Sequence, residues 1–156
     1  MSRYHPDYLR QIIRVALQPL EIWSYEAEEL LMMTAAHESH LGTSLEQIRG
    51  PAWGLYQMEM PTLWDIWKNY LEFRPAVTYQ VTCITGLAGP DLGHLQYNPI
   101  YSTVMARLHY LRVPAALPAA HDVDGMAHYA KDHYNTPAGR ATQEKYIADY
   151  ERLVLM

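Results

Sequence analysis

The chain has 156 residues and a single cysteine, Cys83. One thiol excludes an intrachain disulfide and any zinc site built on cysteines, and it fits synthesis in a reducing compartment. Clustered cations are missing as well: 12 Lys and Arg against 17 Asp and Glu leave a formal charge of -5, with no basic run. Nucleic-acid recognition displaces counterions with clustered cations, so that class is excluded as the main business of the protein. No apolar run reaches membrane-spanning length, and membrane insertion is not expected. The opening stretch MSRYHPDYLRQIIRVALQPLE mixes Arg, Asp and Gln among its apolar residues, unlike a secretory leader. Any action outside a cell would therefore need another means of delivery. Repeats and low-complexity tracts are absent too, so the expectation is one ordinary domain over residues 1–156.

What is present is helical punctuation. Leu9, Ile12, Ile13, Ala16 and Leu17 share one helix face before Pro19. Ser24 can cap a second helix whose first turn carries Glu26, Glu28 and Glu29, with Leu41 near its end and Gly42 as its C-terminal cap. Thr62 and Asp65 have capping-box spacing ahead of LWDIWKNYLEF. Asn98-Pro99 starts PIYSTVMARLHYLRV, Asp122 or Asp124 opens GMAHYAKDHY, and Thr142 opens QEKYIADYERLVL. Residues 75–97 are the least readable, a short helix at most and then a loop, GLAGPDLGHLQ. The predicted fold is mostly α, about six helices with at most a very small β element.

The second helix contains an anomaly. Ala27, Leu30, Leu31, Thr34 and Leu41 form its apolar stripe, and Glu38, eleven residues after Ala27, falls about 20° from it at 100° per residue. Glu26, Glu28 and Glu29 fall well off the stripe, where a solvated glutamate belongs. Burial and the negative end of the helix dipole would both raise the Glu38 pKa, and a carboxyl kept protonated near neutrality is what a general acid requires. The plainer alternative is a frayed helix end that turns Glu38 into water or pairs it with Arg49 or Lys131. Position alone leaves both readings open.

A resemblance separates them. ESHLGTSLEQIRGPAWGLYQMEMP resembles the core motif of the lytic transglycosylase and goose-type lysozyme group of the lysozyme superfamily: a Glu-Ser ending a helix, then Gly-Leu-x-Gln, then Tyr-Asn before Ala-Gly. Here those elements are Glu38-Ser39, the segment from Gly50 to Gln57, and HYNTPAG from His133 to Gly139. GPAWGLYQME, YLRVPAALP and YNTPAGRATQEKYIADYER further resemble lysozyme-like proteins of tailed bacteriophages. Two departures stand out. QMEMP is one residue longer than the usual Gln-Ile-Met-Pro and adds Glu59, while Thr136 and Pro137 stretch the third element.

The resemblance implies a lysozyme-like domain that cleaves the β-1,4 bond between N-acetylmuramic acid and N-acetylglucosamine in peptidoglycan. It implies Glu38 as acid and then base, with assistance from the substrate's own N-acetyl group. It also implies that Ser39, Gln57 and Asn135 orient sugar groups, that Tyr134 hydrogen-bonds the acid, and that Gly54 lets backbone approach the saccharide. Tyr56, Tyr129, Tyr134 and Trp53 are candidate stacking surfaces, whereas Trp64 and Trp67 read as core. Glu59 and Asp65 are candidate second carboxylates, though a loop charge and a helix cap already account for them. The stretch HESH does not fit a zinc-protease helix, because its histidines are three apart rather than four, so no metal and no cofactor are expected. The partners implied are bacterial glycan strands. In the alternative reading, a phage virion or tail protein of lysozyme-like fold with weak or no activity, they include phage virion proteins. Either product would be made in the host cytoplasm and reach the wall through a holin lesion or with the virion.

Overall fold

Side-chain caps set most of the helix starts. The structure, a computed structural model, describes residues 3–45, 51–135 and 139–156. Helix α1, Pro6–Leu17, is capped by His5 and buries Leu9, Ile13, Ala16 and Leu17. Ser24 accepts from the Ala27 amide at 3.0 Å and starts α2, Tyr25–Ser39. After α2 the chain makes a two-stranded antiparallel hairpin, β1 (Ala52–Trp53) and β2 (Met58–Glu59), with Trp53 opposite Met58. Helices α3 (Met60–Asn69), α4 (Pro75–Thr85), α5 (Leu92–Tyr97) and α6 (Pro99–Leu111) follow. Then come α7 (Val123–Ala130), a π-helical turn over Lys131–Asn135, and α8 (Gln143–Leu153). Asn98, Asp122 and Thr142 accept from the amides of Tyr101, Gly125 and Lys145, as their positions predict.

The fold is mostly α with a very small β element, and eight helices rather than six are present among the described residues. Both additional helices lie in 75–97: α4 stands where the sequence allows a short helix, and α5 stands within the stretch expected to be a loop. Pro75 opens α4 and Gly86, at φ 80°, closes it, while Asp91 caps the six-residue α5 through the His94 amide. The Thr62–Asp65 capping box is not used. Pro61 starts α3 earlier, directly from β2, and Asp65 instead binds Arg112 at 2.6 Å and Asn69 at 2.6 Å. Trp67 is core, its Nε1 donating to the Tyr101 hydroxyl at 3.1 Å; Trp64 is not core but exposed, under the Lys68 ammonium.

Helix α2 is the axis of the molecule. It contacts α1, α6, α7 and α8, so its residues are buried on every face from Leu30 to Ala36 rather than along one stripe. Glu28 is consequently not solvated: it is 2% exposed. The helix also ends two residues before Leu41. His40, Leu41 and Gly42 are successive left-handed residues at φ 51°, 56° and 91°, which turn the chain sharply away from the helix. All eight helices contribute buried side chains to the core, and Leu9, Ile13, Leu30, Leu31 and Leu63 are 0–1% exposed. Each such side chain is worth about 1.5–3 kcal/mol of transfer free energy. No helix among the described residues is long and apolar enough to cross a membrane.

Candidate active site

Glu38 lies in the last turn of α2, where the helix has brought it among aromatic rings of α6, the π-helical turn and α8. Its carboxylate accepts one hydrogen bond, from the Tyr146 hydroxyl to Oε1 at 3.0 Å, and has no cation partner among the described residues. Burial raises its pKa to about 7, and the Tyr146 bond opposes that rise only in part. The carboxylate in turn helps burial push the phenols of Tyr110, Tyr134 and Tyr146 upward. Of the two pairings considered for Glu38, Arg49 lies outside the described residues. Lys131 donates to Asn135 Oδ1 at 3.2 Å and to the Gly139 carbonyl at 2.7 Å. The group is a half-buried carboxyl beside phenols, with its pKa pushed up to about 7.

The three segments singled out by the motif converge on this place. The Ser39 hydroxyl donates to the Leu55 carbonyl at 2.6 Å, which ties the end of α2 to the β1–β2 turn. From the other side, the Tyr134 hydroxyl donates to the Tyr56 carbonyl at 2.5 Å. Helix end, hairpin turn and π-helical turn are thus joined by two hydrogen bonds that flank Glu38.

Several roles expected of individual residues change. Tyr134 does not bond the acid; Tyr146, on α8, does. Ser39 is 1% exposed and fully engaged, donating to Ala35 and Leu55 and accepting from the Gly42 amide, so it holds the turn rather than a sugar. Tyr56 is also 1% exposed, with its hydroxyl on Thr103 at 2.9 Å, and offers no stacking face. Tyr129 is buried and donates to the Ala115 carbonyl. Gly54, at φ 87°, is required by a close approach, but the approaching group is protein: a Cβ there would stand 1.9 Å from the Leu95 carbonyl oxygen. Gln57 sits at φ 48° and spends its amide nitrogen on the carbonyls of Ser44, Leu45 and Gly54, which leaves only its oxygen for a ligand. Asn135 accepts from Lys131, and Trp53 is half-buried against the core. Gly50, Thr136 and Pro137 lie outside the described residues.

Of the candidate second carboxylates, Asp65 has its pKa lowered by hydrogen bonds from Asn69 and Arg112, and it forms an ion pair with Arg112. Glu59 is exposed at the end of β2. The histidines of HESH part company: His40 is exposed, whereas His37 binds Asp149 at 3.0 Å and lies against Tyr146. No cluster of three or more His, Cys, Asp or Glu side chains able to hold a metal ion occurs among the described residues.

Sequence reasoning missed Tyr146 and His109. Tyr146 is 108 positions from Glu38, a separation at which spacing carries no contact information. The ring of His109 meets Tyr134 edge to face at 5.3 Å, and burial lowers its pKa. A polar aromatic in the buried register of α8 was the available signal for Tyr146; none marked His109.

No protein-family model matches the chain, and comparison with curated proteins and with solved structures returns no match.

Proposed function

We propose that the protein is a peptidoglycan-cleaving glycosidase acting on the β-1,4 bond between N-acetylmuramic acid and N-acetylglucosamine, with Glu38 as general acid and then base. One observation carries this reading: among the described residues the half-buried Glu38 carboxyl has no cation partner and a single phenol hydrogen bond, and its pKa is pushed up to about 7. A structural carboxylate is normally paired, because an unpaired buried charge costs several kcal/mol. A group that must donate a proton at neutral pH needs the reverse arrangement. In the proposed reaction neutral Glu38 gives its proton to the glycosidic oxygen as the bond to the muramic C1 breaks, and the substrate's acetamido oxygen closes on C1. The Glu38 carboxylate then removes a proton from the muramic 6-hydroxyl, which displaces the acetamido oxygen and leaves an anhydro end; a water in that place would leave a reducing end. The resemblance to phage lysozyme-like proteins supports a role in breaching the host wall, from the virion or at lysis.

A second reading has its own support. Ser39, Tyr56 and the Gln57 nitrogen are committed inside the protein, which reduces the polar groups free for sugar. A virion component of the same ancestry, with a saccharide-binding or purely structural role, would tolerate that loss. Clearing of purified peptidoglycan by wild type and by Glu38→Gln separates the cases. Clearing by wild type alone supports the glycosidase, equal clearing by both removes Glu38 from the chemistry, and clearing by neither favours the virion component. Mass spectrometry of the released fragments then reads anhydro against reducing ends.

A further inference from the structure

The proposed acid depends on one hydrogen bond, and that bond depends on the placement of one ring. Tyr146 is 0% exposed on α8, and its hydroxyl reaches Glu38 Oε1 at 3.0 Å. The imidazole of His37 covers the phenol ring, with centroids 4.0 Å apart and planes at 32°. The imidazole is itself fixed, because Nδ1 lies 3.0 Å from Asp149 Oδ2 while the other Asp149 oxygen accepts from Arg152 at 2.9 Å. Tyr146 and Asp149, three apart on α8, share a face, and both Glu38 and His37 of α2 reach it, the first through the Tyr146 hydroxyl and the second through Asp149 and the Tyr146 ring. The charged groups bearing on His37 are Asp149 and Lys145 from α8 and His40 from its own helix.

We propose that His37, clamped by Asp149, is a positioning residue for Glu38: its imidazole face holds the Tyr146 ring so that the phenol hydroxyl stays on the carboxyl oxygen. The inference rests on Glu38 being the acid. Asp149 is half-buried and is held on one oxygen by Arg152 while the other meets His37 Nδ1, so the imidazole face is fixed in orientation against the Tyr146 ring. The arrangement Arg152–Asp149–His37–Tyr146–Glu38 is continuous, and each link is a short polar or ring contact. Burial lowers the His37 pKa, which keeps the ring neutral at the pH where Glu38 would act.

The experiment is carboxyl-carbon NMR titration of Glu38 in wild type, His37→Ala, His37→Phe and Tyr146→Phe, with peptidoglycan cleavage measured in parallel. Loss of the clamp weakens the Tyr146 bond, which favours the carboxylate, so His37→Ala should raise the Glu38 pKa from about 7 toward about 8, most of the way to the Tyr146→Phe value. Cleavage should fall about tenfold in kcat with KM unchanged, and His37→Phe, which keeps a ring face, should restore most of both. If His37→Ala does not fold, His37→Gln, which can still meet Asp149 but has no ring, takes its place and should behave the same way. A folded Ala or Gln variant whose Glu38 titrates as in wild type, while Tyr146→Phe shifts it, overturns the clamp and leaves the glycosidase reading intact. Failure of His37→Phe to restore either readout also overturns it. An ordinary carboxylate titration in wild type would instead remove the acid on which the clamp rests.

Discussion

Glu28 and Glu38 sit on the same helix, ten residues or about 15 Å apart, and the protein treats them in opposite ways. Glu28, in the first turn, is 2% exposed and saturated with donors: Arg14 through Nε at 2.6 Å and Nη2 at 3.1 Å, Arg10 at 3.2 Å, and the Trp23 indole at 3.0 Å. Burial alone would raise its pKa, but those donors win and hold it below the ordinary value. The positive end of the helix dipole acts in the same sense. Next to it, Glu29 takes both terminal nitrogens of Arg10 and the Tyr150 hydroxyl. Glu38, in the last turn, has the unfavourable end of the dipole and, among the described residues, one phenol and no cation. The carboxylate that joins α1 to α2 is fully compensated; the one proposed to exchange a proton has a single hydrogen bond among the described residues. The contrast distinguishes Glu28, whose partners give it a structural role, from Glu38, the proposed acid.

The largest expected effect is on chemistry. Glu38→Gln should lower peptidoglycan cleavage by about 10³-fold, within the range for loss of a general acid, whereas Glu28→Gln should leave the rate per folded molecule unchanged. On stability the order reverses. Glu28→Gln strands part of the Arg10–Arg14 charge and should cost about 3 kcal/mol in urea melts at pH 7. The sign follows from linkage: a depressed folded pKa adds stability above the unfolded value, here 4.5, that is lost as the pH falls through the folded one. The gap between wild type and Glu28→Gln should therefore narrow below that pH.

Glu38 works the other way. Its pKa is raised from 4.5 to about 7, so the folded state holds a proton that the unfolded state has released across that interval. Wild-type stability should therefore fall as the pH rises from 4.5 to about 7, and Glu38→Gln should remove that slope. At pH 8 the variant should be more stable than wild type by about 1–2 kcal/mol, the stability cost often carried by a site built for chemistry. A destabilised Glu38→Gln at that pH would place Glu38 with Glu28 and erase the distinction. The smallest effect is that of Tyr146→Phe, which deletes a hydrogen bond favouring the carboxylate. It should raise the Glu38 pKa by about one unit, seen as the alkaline limb of the cleavage profile moving upward.

What the sequence made legible was local. Ser24, Asn98, Asp122 and Thr142 cap the helices they precede, since a cap needs only the residues of one turn. Helix α5 was hidden because six residues between Pro90 and Pro99 are too short for a periodicity to show. The burial of Glu28 was hidden because a stripe argument assumes one solvated face, and α2 has none over most of its length. At the site, the position of Glu38 and the meeting of three segments were readable. Which side chains face inward was not: Ser39, Tyr56 and Gly54 occupy motif positions yet serve the joint between helix end and hairpin. Tyr146, which bonds the Glu38 carboxyl, and His37, which lies against the Tyr146 ring, belong to a contact between helices far apart in the chain.

The central claim is tested most directly by titrating both acids in one spectrum. With ¹³C-labelled glutamate side chains, the Glu38 carboxyl should inflect near pH 7 while the Glu28 carboxyl inflects below 4.5. Both carbons inflecting together in the ordinary carboxylate range would contradict the account, because Glu38 would then be an anion at the pH where it is assigned the work of an acid.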